Sequence, residues 1–99
     1  MNDSKWWLVC YDVHDPARLR RTAKHLEGCG QRMQESVFRC WMTPSRMHCL
    51  RWELTRILDP CDEVLIIPLC SRCVTGMETT HTARNTPNWP EAPEPYRIV

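Results

Sequence analysis

Apolar and polar positions change period several times along this chain, and each change marks an element. Trp6 to Tyr11 is apolar at successive positions, which predicts a central β-strand covered on both faces. Asp15-Pro16 then opens a helix, Asp as N-cap and Pro at the first helical position. Leu19, Thr22, Ala23 and Leu26 form its buried stripe, and Gly28 and Gly30 end it. The stretch QRMQESVFRCWM is rich in β-formers but polar at Gln34-Glu35. It predicts a short strand over 31–34, a kink or tight connection, and a second strand over 36–42. Thr43-Pro44 repeats the cap-and-proline device. Met47, Leu50, Leu54, Ile57 and Leu58 carry the second helical stripe as far as Asp59-Pro60. EVLIIPL over 63–69 is the last strand, and Pro68 places it at a sheet edge or at its own end.

The resulting order, β-α-β-β-α-β, is the split βαβ arrangement of a ferredoxin-like α+β sandwich: an antiparallel sheet with two helices on one face. The opposite face needs cover, because alternate strand positions carry Trp, Phe, Met and Cys. Isologous pairing with a second copy through that open face is the simplest cover. The expected domain is 1–70. Residues 71–99 read as a Pro-rich linker or tail, ending in YRIV (Tyr96 to Val99), a short strand able to add to a sheet edge.

A chain of 99 residues fits one small domain. Its net charge of +1 hides an uneven distribution. Between His14 and Arg56, nine basic residues face four acids, a local excess of +5 that suits a polyanion or, equally, a solvated helix face. The seven cysteines are odd in number and sit at strand and helix positions. With no signal-peptide pattern at the N-terminus and no bilayer-length apolar run, they predict free thiols, a cytoplasmic location and no membrane partner.

Two acids close the first strand, and they differ in what explains them. Asp15 is accounted for as a cap. Asp12, in phase with Leu8 and Cys10, is a carboxylate at the end of an apolar strand, costly unless paired, solvated or bound to metal. It is either a loop acid without a role or half of a carboxylate pair that two copies would form around a hard cation such as Mg²⁺. His14 beside it is a proton-relay candidate or a plain exposed histidine. Arg18, Arg20, Arg21 and Lys24 on the first helix, with Arg32 on the next strand, are candidates for phosphate contacts that position a nucleic acid without reading its sequence. Cys70-Ser71-Arg72-Cys73 is a single C-x-x-C, short of the four ligands of structural zinc. A redox role would require it to begin a helix beside a strand, and no such helix is expected from the pattern.

Taken together, YDV-x-D over 11–15, RLRRTAKHLEGCG over 18–30, RMQESVF over 32–38 and LIIPL over 65–69 resemble CRISPR-associated protein 2, the small subunit of the CRISPR adaptation module. The resemblance spans about residues 6–69 and implies a ferredoxin-like homodimer that partners the CRISPR integrase. It also implies Mg²⁺- or Mn²⁺-dependent phosphodiester hydrolysis of RNA or DNA. On this resemblance the family's metal-binding and catalytic aspartate falls on Asp12, and its basic helix positions fall on Arg18, Arg20 and Arg21. Its R-x-Q-x-S-V-F motif falls on Arg32, Gln34, Ser36, Val37 and Phe38. Glu35 stands where the family usually has an aromatic residue, and the tail beyond the minimal domain is a candidate dock for the integrase. Two further readings stay open: a non-catalytic DNA-binding scaffold, and a toxin-type ribonuclease of the same fold.

Overall fold

Two helices begin where side chains take up backbone amides that a helix leaves unpaired. The computed structural model describes residues 3–76; the expected strand over 96–99 and the tail from 77 onward lie outside the described residues. The elements are β1 (Lys5–Asp12), α1 (Pro16–Glu27), β2 (Gly30–Gln34), β3 (Val37–Met42), α2 (Pro44–Thr55), β4 (Glu63–Leu69) and α3 (Ser71–Thr75). Asp15 accepts the Arg18 amide at 2.9 Å and Thr43 Oγ1 accepts the Arg46 amide at 3.1 Å, each followed by proline in the first turn. Both starts fall where the sequence places them.

The far end of α2 does not. The apolar stripe runs on through Ile57 and Leu58, yet the helix ends at Thr55 with Arg56 as its C-cap. Ile57 and Leu58 both donate their amides to the Leu54 carbonyl at 3.0 Å in a closing turn, and still pack against the core. Thr55 Oγ1 donates back to the Trp52 carbonyl at 2.6 Å, a bond that competes with the helical ladder. Pro60 also holds residue 59 away from helical geometry. A second departure is α3, since the sequence reads the segment after Leu69 as linker.

The four strands form one sheet in the order β2-β3-β1-β4, with every neighbouring pair antiparallel. The expected tight connection is the turn at Glu35 and Ser36 between β2 and β3, and a separate register shift lies within β2 between Arg32 and Gln34. Strand alternation puts Val9 and Tyr11 of β1, with Phe38, Cys40 and Met42 of β3, in one core with Leu26 of α1 and Met47, Leu50 and Leu54 of α2. Phe38 and Met42 therefore lie under the helices, not on the open face. His25 and Glu53, 2.9 Å apart, join α1 to α2 at the surface.

The open face carries Trp6, Leu8 and Cys10 of β1, register partners of Trp41, Arg39 and Val37 on β3 and of Leu69, Ile67 and Leu65 on β4. One end covers itself. Trp41 packs edge-on against Trp6 with ring centres 5.3 Å apart, and the Arg39 guanidinium lies 4.9 Å over the Trp6 ring. The other end is bare, with Leu65 60% exposed.

Gly30 opens β2 instead of closing α1, and its lack of a side chain is needed there. A Cβ at this position would lie 2.1 Å from the Arg39 carbonyl oxygen and 2.8 Å from Cys40 Sγ. The obstacle is backbone of β3, so relief requires β2 to move. Gly30→Ala should therefore destabilise the fold by about 1–3 kcal/mol, the range for forced overpacking. Urea unfolding checks this, and an unchanged midpoint would show that β2 is not held at this spacing.

Candidate metal and nucleic-acid site

Tyr11 and Val13 are both buried, 5% and 7% exposed, and they fix where Asp12 between them must point. Alternation turns its side chain toward the open-face end of β1, where it is 68% exposed. Its register partner on β4 is Glu63, also exposed, so two carboxylates stand directly opposite across an antiparallel pair. Like charges so placed oppose folding, and a cation relieves them. His14 Nε2 lies 3.6 Å from Asp12 Oδ1. Glu63 was not among the sequence candidates, because only the β1–β4 register reveals it.

Among the described residues no three His, Cys, Asp or Glu side chains converge as a metal site. One copy of Asp12, with Glu63 beside it, is short of what a hard cation takes from protein oxygens, while a second carboxylate from another copy fits that chemistry.

The basic candidates divide into two groups. Arg18 is engaged within the fold: its Nε and Nη2 donate to Asp62 at 2.8 and 3.3 Å, and the Asp62 side chain has 0% exposure. The guanidinium of Arg18, and after it the Asp59 amide at 2.9 Å, hold the Asp62 carboxyl below the usual carboxylate range. Arg32 donates to the Glu35 carbonyl, lies 3.6 Å from Glu27 and stacks 5.0 Å over Phe38. Arg20, Arg21 and Lys24 are exposed on α1. Arg21 and Lys24 line a shallow groove of about 620 Å³ with Arg46, at the start of α2. Arg46 belongs to the basic excess of the sequence, but only the packing of α1 beside α2 brings it to this groove.

Ser36 and Phe38 hold this end of the sheet together. The Ser36 carbonyl accepts the Tyr11 amide at 3.1 Å. Phe38 is fully buried and stacks on Tyr11 with ring centres 6.2 Å apart.

An acidic strand end on a small antiparallel α+β domain, with a basic helix packed behind the sheet, defines the class of molecule; comparison with known proteins narrows it. The family model described as CRISPR associated protein Cas2 matches residues 5–77. This chain belongs to that family. A CRISPR-associated endoribonuclease Cas2 of Chloroflexus aurantiacus is 37% identical over 75 residues, 74% of this chain and 81% of that one. One from Nitrosomonas europaea is 42% identical over 53 residues, 54% of this chain and about half, 47%, of its own length. Among solved structures, Streptococcus pyogenes Cas2 superposes with a TM-score of 0.68 at 38% identity, covering 75% of this chain and 96% of that one. A chain of a partial Cas6-RT-Cas1–Cas2 complex has the same fold, with a TM-score of 0.68 at 23% identity over 78% of this chain and 91% of that one.

Proposed function

We propose that the chain is a cytoplasmic, homodimeric subunit of a CRISPR adaptation complex. It contacts the integrase, holds the nucleic acid to be inserted, and uses the Asp12 carboxylates of two copies to hold Mg²⁺ or Mn²⁺ for phosphodiester hydrolysis. The observation that carries this reading is Asp12 itself: an exposed carboxylate opposed by Glu63 at the end of a central strand, in a chain of the Cas2 family. The strand order β2-β3-β1-β4 with crossovers through α1 and α2 supports a ferredoxin-like sandwich. Relatives named as endoribonucleases support the hydrolytic reading, and the Cas6-RT-Cas1–Cas2 assembly supports the integrase as partner.

A divalent cation between the two carboxylates would supply charge neutralisation at a scissile phosphate. The chain's own part is to present Asp12 rigidly, by burying Tyr11 and Val13 on either side of it, with His14 beside it. Arg20, Arg21 and Lys24 would bind backbone phosphates whatever the bases. A non-catalytic scaffold is the second reading. The observation favouring it is that each chain offers a largely solvated Asp12 with one histidine beside it.

Pairing through the open face would cover Leu65, Ile67, Leu8 and Cys10. Light scattering over a dilution series should give twice the 11.7 kDa chain mass at micromolar concentration. A folded monomer throughout would sink the dimer. Nucleic-acid affinity should fall steeply with salt. Replacing Arg20, Arg21 and Lys24 by glutamine should flatten the log–log salt slope by about 0.7 to 0.9 per contacting side chain. An unchanged slope would put the binding surface elsewhere. Arg18 is left out of that set because its replacement would also strip Asp62 of its partner.

A further inference from the structure

The short helix α3, which apolar spacing does not predict, bears directly on the C-x-x-C. β4 ends at Leu69, and α3 begins at Ser71 with Cys70 as its N-cap residue. Cys73, three residues on, brings its sulfur to 3.4 Å from Cys70 Sγ, and both residues are exposed. The backbone of this turn is already closed by Val74 donating to the Cys70 carbonyl and Gly76 to the Arg72 carbonyl, both at 3.1 Å. A disulfide needs the sulfurs to approach by roughly 1.3 Å, within reach of side-chain rotation.

The other five thiols lack this arrangement. Burial pushes Cys40 up to about 12 and raises Cys10 and Cys29. Cys61 is exposed but donates to Asp59 at 3.3 Å, which raises its pKa. Cys49 is exposed on α2. At Cys70 the direction reverses: the Cys73 backbone, and after it the Cys73 thiol 3.4 Å away, lower its pKa. Zinc is the weaker fit, because two thiolates leave a structural site two ligands short and no third ligand converges among the described residues.

We propose that Cys70 and Cys73 form a reversible dithiol–disulfide site for low-molecular-weight disulfides, with Cys70 as the attacking thiol and Cys73 as the resolving thiol. The Cys70 thiolate attacks one sulfur of the small disulfide, forming a mixed disulfide and releasing one thiolate. Cys73 gives up its proton and attacks Cys70 Sγ, closing the Cys70–Cys73 bond and releasing the second thiolate. The protein dithiol loses two electrons, the small disulfide gains them, and the two cysteine protons end on the two released thiols. The closed bond would lock the first turn of α3 where Cys70 lines a cleft of about 720 Å³ with Trp6, Trp41 and Val74.

The full chain, equilibrated with mixtures of reduced and oxidised glutathione, quenched in acid and unfolded, tests this. Reactive thiols should fall by two from the seven of the reduced chain as the oxidised fraction rises, with a Cys70–Cys73 linkage found by peptide mass mapping. Cys73→Ser should instead accumulate one glutathione on Cys70, and iodoacetamide should label Cys70 ahead of Cys61. Seven reactive thiols at every ratio would overturn the proposal. So would glutathione on Cys49 or Cys61 with Cys70 left reduced, or a Cys73→Ser protein that takes up no glutathione at Cys70.

Discussion

Phe38→Ala should cost about 3–5 kcal/mol, a large part of the 5–15 kcal/mol that holds a typical domain together. Phe38 has no exposed surface, and its ring is the largest side chain fully buried in the core. It stacks on Tyr11 of the neighbouring strand and belongs to the same core cluster as Leu26, Leu50 and Leu54 of the helical layer. The flat ring also carries the Arg32 guanidinium 5.0 Å above it, so truncation removes a cation–π contact while Arg32 keeps Glu35 and Glu27. The cavity would sit at the centre of the sheet, where β3 pairs on both sides and cannot collapse inward without breaking a ladder. At fixed protein concentration the thermal midpoint should drop by well over about 10 °C. A drop of a few degrees would mean that the core closes over the missing ring. Phe38→Leu, which keeps most of the volume, should recover most of the loss.

What the sequence made legible was local. Asp15-Pro16 and Thr43-Pro44 are caps written within four residues of the amides they serve, and both helices begin there. The four strands are equally visible, because apolar runs and β-forming residues are properties of consecutive positions. The facts that went unseen depend on pairing between distant segments. Arg18 looks like any other basic residue of α1 until Asp62, 44 positions away, accepts its guanidinium. Glu63 is an ordinary polar strand start until the β1–β4 register sets it against Asp12. Alternation shows that the sheet has two apolar faces but not which one receives the helices, so Phe38 and Met42 could not be assigned to the core in advance. The end of α2 escaped because Ile57 and Leu58 serve the core without being helical; apolar spacing records burial, not hydrogen bonding. α3 is five residues long, too short to carry a periodic stripe at all.

Asp12→Asn should sharply reduce divalent-cation-dependent cleavage of nucleic acid, by on the order of 10²–10³-fold, the size of effect that follows removal of one electrostatic stabiliser from a reacting centre. The substitution keeps the side chain's size and removes its charge, so fold and dimer should survive it. They should even gain slightly, because Asp12 and Glu63 no longer repel across β1 and β4. Binding of duplex DNA should stay within a factor of a few, since the phosphate-binding candidates lie on α1 and not at the strand end. Asp15→Asn is the matched comparison. It removes a carboxylate three residues away, but asparagine caps a helix as well as aspartate does, so cleavage should hardly change. Glu63→Gln separates the contribution of the opposing strand. If the cation is held by the two Asp12 side chains alone, this variant should cleave at the wild-type rate. If Glu63 is a ligand, it should raise the cation concentration needed for half-maximal cleavage. Cleavage by Asp12→Asn at the wild-type rate would place the nuclease elsewhere in the chain or in a contaminant. If wild type and Asp12→Asn both fail to cleave while both still support spacer integration, Asp12 is not catalytic and the chain is an architectural holder of DNA.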